Sequence, residues 1–217
     1  MEFGLNQFKE FITEYAQRLE ELKSTLNELD NRIGDGDHGT NMARGFQVAN
    51  QQLQAKNPTD IGTACNTVAM ALLGNVGGAS GPLYGTIFMK LASVFKEKLS
   101  VDDEMLLNGF LFAKNGIIER GKAQYGDKTM LDVWETATSF LQSNVGTNRY
   151  RDLMTVVQEA VLETRDRVAK KGRAAYLGPR SAGTCDPGSV SSGLFFEVFV
   201  RALDGEGAII RWETLVL

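Results

Sequence analysis

The feature that most constrains this chain is the recurrence of an apolar residue at every third or fourth position over long stretches, with almost no strand-like alternation. Leu5, Phe8, Ile12, Tyr15, Leu19, Leu22, Leu26 and Leu29 follow those steps, which lays one apolar stripe along a single long helix. Met130, Val133, Trp134, Ala137 and Leu141 mark a second stripe, and Leu153, Val156, Val157, Ala160, Val161 and Val168 a third. Shorter helices are predicted over 40–54, 60–73, 82–97, 103–120 and 188–203. Only Ala208-Ile209-Ile210-Arg211-Trp212 resembles a strand. Eight helices joined mostly by short loops predict an all-α fold, an antiparallel up-and-down bundle.

At 217 residues the chain is expected to be one domain, large enough to bury roughly 70–75% of its unfolded surface without disulfides or a structural metal. Cys65 and Cys185 have no paired metal spacing, which fits a reduced cytoplasmic interior. Lysine and arginine number 23 against 27 acidic residues, a net charge of −4, so no basic face for nucleic acid is expected. Met1-Glu2-Phe3-Gly4 lacks the basic and apolar regions of a secretion signal. Ile61 to Met89 carries no charge and is long enough to span a bilayer. Its six glycines and Pro82 instead predict two buried helices joined by a glycine-rich loop, and no membrane insertion.

The loops carry the chemistry. Those at 30–41, 74–86, 121–129 and 178–188 alternate with pairs of helices, and in an up-and-down bundle every second loop lies at the same end. The first contains Asp30 and then Gly34-Asp35-Gly36-Asp37-His38-Gly39-Thr40-Asn41. Two unit charges 4 Å apart repel by about 4 kcal/mol at an effective dielectric of 20, so gathering three carboxylates is costly without a cation. Hard oxygen ligands suit Mg²⁺ or Ca²⁺; the spacing is not that of an EF-hand. The plain alternative is a solvated acidic turn. Thr40 or Asn41 is placed to cap the next helix, and a helix start beside glycine suits a phosphate. Gly77-Gly78-Ala79-Ser80-Gly81-Pro82 follows the same logic, although a tight helix–helix turn explains it equally well. Gly121-Lys122-Ala123-Gln124-Tyr125-Gly126-Asp127-Lys128-Thr129 nearly spells a Walker A loop, but Asp127 interrupts it and no strand precedes it. Asp127 or Thr129 caps the helix that follows. In the last loop Asp186 fits an N-cap with Pro187 at the first helical position, and Arg180 could pair with phosphate. With one histidine and no Gly-x-Ser-x-Gly or His-Glu-x-x-His motif, serine-hydrolase and zinc-protease chemistry are set aside. The residues lead to a helical, Mg²⁺-dependent phosphate or nucleotide protein.

The four loops, in order over roughly residues 5–203, resemble the L subunits of dihydroxyacetone kinases, as do Gly126-Asp127-Lys128-Thr129-Met130-Leu131-Asp132 and Asp186-Pro187-Gly188. The resemblance implies eight antiparallel amphipathic helices closed into a barrel, with ADP or ATP bound across one end and 204–217 as a tail outside it. It implies two Mg²⁺ ions at Asp30, Asp35 and Asp37, and nucleotide contacts at His38, Thr40, Asn41, Ala79, Ser80, Gly121, Met130, Arg180, Asp186, Pro187 and Gly188. It further implies a cytoplasmic phosphotransferase in which a phosphotransferase-system M subunit phosphorylates bound ADP, and the phosphoryl group passes to dihydroxyacetone held by a K subunit. An ATP-exchanging kinase domain, or a nucleotide-bound regulator that binds a transcription activator, keeps the same fold. Thr184-Cys185 stand where that family usually has a histidine before the Asp-Pro-Gly turn.

Overall fold

The first apolar stripe faces inward along its whole length, but on two helices rather than one. The computed structural model describes residues 2–144, 146, 149–205 and 209–217, and in it α1 spans Leu5–Glu21 and α2 spans Lys23–Ile33. The break is a single residue. The Leu22 N–H still reaches the Arg18 carbonyl and its carbonyl still accepts from Leu26, so the i to i+4 ladder and the buried face run on across it.

The other predicted helices are present with shifted ends: α3 His38–Lys56, α4 Ile61–Asn75, α5 Ser80–Val94, α6 Asp103–Gly121, α7 Met130–Ser143, α8 Arg149–Glu163 and α9 Pro187–Asp204. Because α8 ends at Glu163, Val168 lies beyond it and is exposed. Among the described residues there are ten α-helices and one 3-10 segment, Arg173–Ser181, kinked at Gly178, where periodicity predicts eight helices. The additions come from the break at Leu22, from that 3-10 segment and from α10, Trp212–Val216. The expected strand over 208–212 is not formed: Ala208 lies outside the described residues, 209–211 are irregular, and Trp212 opens α10. The strands are elsewhere. β1 (Glu2–Gly4) pairs antiparallel with β2 (Ser100–Asp102), with Phe3 opposite Val101.

Each main helix packs on its neighbour in sequence from α3 to α8, and α9 lies against α7 and α8 and returns to α1 and α2. The interior is aromatic. Phe11, Tyr15, Phe46, Phe88 and Phe195 meet mainly edge to face, with Tyr15 and Phe46 centroids 4.6 Å apart. The tail joins this core: Trp212 is fully buried, and its Nε1–H donates to the buried Glu197 carboxylate at 2.5 Å. Both cysteines are free and buried. Among the described residues no helix is long and apolar enough to cross a membrane.

Candidate functional site

The four chemistry-bearing loops meet around one cavity of about 270 Å³. Its walls take Asp30, Asp35, Asp37 and His38 from the first loop, Gly77 to Ser80 from the second, Gly121 and Lys128 to Met130 from the third, and Asp186 to Gly188 from the fourth. Leu83, Ile117 and Ala123 add apolar surface. The expectation that alternate loops share one end is met.

The acidic wall is built where α2 stops. Asp30 sits in the last turn of α2, and the chain reverses through Gly34 and Gly36, the latter at φ +78°, a region that glycine enters without strain. A Cβ on Gly34 would run into the Asp30 carboxylate and carbonyl. Asp30 Oδ2 accepts the N–H groups of Asp37 at 2.9 Å and His38 at 3.1 Å, which folds the loop back on the helix. One carboxylate oxygen each from Asp30, Asp35 and Asp37 then lies within 4.8 Å of the others. Burial raises the Asp30 pKa, the charges of Asp35 and Asp37 add to the rise, and the two backbone N–H groups oppose it. An all-carboxylate donor set in this cradle fits a hard divalent cation. From the 171–174 segment, Arg173 reaches Asp35 Oδ2 at 3.0 Å. The sequence carries no signal for that pairing.

Four helices begin at this end, and their first turns differ. α7 is capped by Thr129, whose Oγ1 accepts from Leu131 N–H, with Asp132 returning a bond to Thr129 N–H. α9 is capped by Asp186, with Pro187 first in the helix as expected. Asp127 instead accepts from Gln124 N–H. α3 starts at His38, so Thr40 and Asn41 lie inside it rather than capping it; its His38 and Thr40 N–H groups are taken by Asp30 and Asn27 of α2. α5 is different. Ala79 offers no side-chain acceptor, Pro82 has no N–H, and the Ser80 and Gly81 N–H groups bond to nothing among the described residues. Free N–H groups at a helix start attract an anion. Thr129→Ala is expected to lower stability by about 1 kcal/mol, read from the urea midpoint.

Asp186 borders the cavity and accepts from Ser189 N–H at 2.7 Å and from Ser189 Oγ at 3.0 Å. Burial pushes its pKa up to about 7, Asp132 adds to the rise, and Ser189 and Lys128 oppose it. The folded state therefore holds this proton where the unfolded chain, with an ordinary carboxyl near 3.9, has released it. Its contribution is complete below about pH 4 and is lost as pH rises through about 7. Thermal melts of the nucleotide-free protein across that window are expected to show a decline of at most about 1.4 kcal/mol per pH unit from this group. Asp186→Asn, which still caps the helix, should remove that component.

Lys128 is fully buried in a left-handed turn at φ +62°, and its Nζ donates to the carbonyls of Arg167 and Ser181. It ties the 165–183 segment to the cavity wall, a role that the failed Walker A comparison did not suggest. His38 is buried, and burial pulls its pKa down to about 4. Of the expected nucleotide contacts, His38, Ala79, Ser80, Gly121, Met130, Asp186, Pro187 and Gly188 line the cavity, and Thr40, Asn41 and Arg180 do not. Thr40 is exposed and Asn41 is buried against Arg44, while Arg180 is exposed at the end of the 3-10 segment. Thr184 and Cys185 are buried just before Asp186.

The DAK2 domain pattern matches residues 32–201. The chain belongs to the DAK2 family. Among its DAK2 relatives, the "PEP-dependent dihydroxyacetone kinase 1, ADP-binding subunit DhaL" of Listeria innocua is 40% identical over 191 residues, covering 88% of this chain and 93% of that one. The corresponding DhaL subunit of Escherichia coli is 40% identical over 189 residues, covering 83% of this chain and 90% of its own. An L-erythrulose 1-kinase of Mycolicibacterium smegmatis is 31% identical, and the match spans 83% of this chain but only 32% of that enzyme. The fold is that of part of the C. freundii dihydroxyacetone kinase. Its crystal structure with AMP-PNP and Mg²⁺ superposes at a TM-score of 0.65 and 23% identity over 89% of this chain, which spans 32% of that one. The resemblance drawn from the four loops to dihydroxyacetone kinase L subunits holds.

Proposed function

We propose that this chain is the ADP-binding, phosphoryl-transferring subunit of a dihydroxyacetone kinase whose phosphate originates from phosphoenolpyruvate. The main helices close into a barrel through α9, with 1–203 as the nucleotide-binding unit and the tail packed on it. The observation that carries the reading is electrostatic: three carboxylates and an unsatisfied helix start face one cavity. Such a site holds a cation and an anion together, as Mg²⁺ and a diphosphate present them.

Asp30, Asp35 and Asp37 would hold two Mg²⁺ ions. The α5 N–H groups and the Gly77–Ala79 loop would hold phosphate oxygens, Leu83, Ile117 and Met130 offer apolar surface that would suit a base, and Asp186-Pro187-Gly188 lines the same cavity. Arg173, which lines the cavity beside Asp35, would add positive charge there, while Arg180 lies outside the lining. When bound, the cations offset charge on the phosphate oxygens during transfer. The chain supplies positioning and the exclusion of water. A phosphotransferase M subunit donates to bound ADP, and a K subunit presents dihydroxyacetone, all in the cytoplasm. Identity of 40% to the DhaL subunits of Listeria innocua and Escherichia coli, against 31% to the L-erythrulose 1-kinase, favours this division over an ATP-exchanging kinase domain.

Native mass spectrometry of the purified protein, before and after incubation with phosphorylated M subunit, tests the reading. Bound ADP converted in place to ATP is the expected result. An empty site that fills reversibly with ATP contradicts it in favour of an exchanging kinase. Tight ADP that no donor phosphorylates contradicts it in favour of a regulator.

A further inference from the structure

Behind the cavity a chain of buried hydroxyls runs into the core. Ser191 Oγ lies 3.1 Å from the Gly188 carbonyl, 2.9 Å from Tyr84 Oη and 3.0 Å from His38 Nε2. Tyr15 Oη donates to the Ser191 carbonyl at 2.9 Å. On the far side of the imidazole, Nδ1 lies 3.0 Å from Ser80 Oγ. Tyr15, Tyr84 and Ser191 are fully buried, and among the described residues no carboxylate bonds to the ring.

Counting protons assigns each bond a direction. A carbonyl can only accept, so the bond from Ser191 Oγ to the Gly188 carbonyl uses the single Ser191 hydroxyl proton, and with that bond made Ser191 meets its two other neighbours as an acceptor. Tyr15 has spent its proton on the Ser191 carbonyl, and Tyr84, which also lies 3.3 Å from Ser192 Oγ, gives its proton to the nearer Ser191 Oγ at 2.9 Å. The remaining lone pair of that oxygen then takes a proton from His38 Nε2. In a neutral ring Nδ1 is left bare and accepts from Ser80.

We infer that Ser191, with Tyr84 behind it, is a positioning residue: it holds His38 as the Nε2–H tautomer, and His38 in turn holds the Ser80 hydroxyl with its proton turned away from the cavity. Ser80 Oγ therefore meets the ligand as an acceptor, suited to a cation or its bound water. Phosphate oxygens are left to the backbone N–H of Ser80. This deepens the proposed function and rests on it only for the nucleotide measurement below.

His38 is the only histidine, so a two-bond ¹H–¹⁵N correlation spectrum of the full-length nucleotide-free protein contains one imidazole. A protonated Nε2 and a bare Nδ1 are expected, and a protonated Nδ1 overturns the inference. In Ser191→Ala the acceptor is gone, and the tautomer should shift towards Nδ1–H; an unchanged spectrum overturns the inference. Ser80→Ala removes only the donor to Nδ1 and should keep Nε2–H, whereas loss of Nε2–H there overturns it too. Ser191→Ala should also weaken Mg²⁺–ADP binding by roughly tenfold, the size of effect expected from removing an outer-shell support, and unaltered affinity refutes the positioning role. The spectra are recorded without nucleotide, so they stand apart from whether the wild type binds Mg²⁺–ADP, which decides the proposed function.

Discussion

Asp37→Ala is expected to abolish retention of Mg²⁺–ADP. A carboxylate 4 Å from a divalent cation contributes about 8 kcal/mol of attraction at an effective dielectric of 20, and a net loss of only a third of that is roughly a hundredfold in affinity. The sign separates two accounts of the cluster. Asp30, Asp35 and Asp37 bring carboxylate oxygens within 4.8 Å of one another. If they formed only a solvated acidic turn, removing one charge would relieve repulsion, and an incoming diphosphate would bind as well as before or better. If they hold the cation that the diphosphate needs, binding falls steeply while the ligand-free protein keeps or gains stability. Calorimetric titration with ADP in magnesium, beside a melt of the free protein, reads both quantities.

The second large effect lies outside the matched family region, in the tail. Trp212 packs against Gly193 of α9, and its indole N–H donates to Glu197, a carboxylate that is 1% exposed. Burial raises the Glu197 pKa, and its other oxygen has no hydrogen-bond partner; Arg18 stands 3.7 Å away. Trp212→Ala therefore opens a cavity and strips a buried carboxylate of its best donor. The expected loss is about 4 kcal/mol or more. Trp212→Phe keeps most of the volume and should lose about 1–3 kcal/mol, the cost of the unmade bond. Denaturant unfolding measures both. ADP affinity should change little in either variant while the protein is folded, because the cavity lies along other residues.

The acidic loop and the Trp212 contact differ in how far apart in the chain their parts lie. The acidic loop was legible because its pattern is local: three carboxylates lie within eight positions, interleaved with glycine, and the fold brings one oxygen of each within 4.8 Å of the others. The long helices were legible because stripes such as Leu5 to Leu29 repeat often enough to define a period. Trp212 was not, since a helix of five residues has no period, and its partner Glu197 belongs to another element. β1 and β2 span three residues each, and Glu2 pairs with Asp102 across most of the first half of the chain, too short for alternation to register. The contacts of Lys128 with Arg167 and Ser181, and of Arg173 with Asp35, join residues 39 to 138 positions apart, beyond any spacing rule. The loop reading selected Arg180 for its charge; packing instead brings Arg173 to the cavity wall and leaves Arg180 outside the lining.

The most direct test is an anomalous difference map from crystals grown with ADP and Mn²⁺ in place of Mg²⁺. The account predicts metal peaks at about 2.0–2.3 Å from carboxylate oxygens of Asp30, Asp35 and Asp37, with the diphosphate bridging from them to the Ser80 end of α5. A map with ADP absent from that cavity, or with no metal peak between the three aspartates, would contradict it.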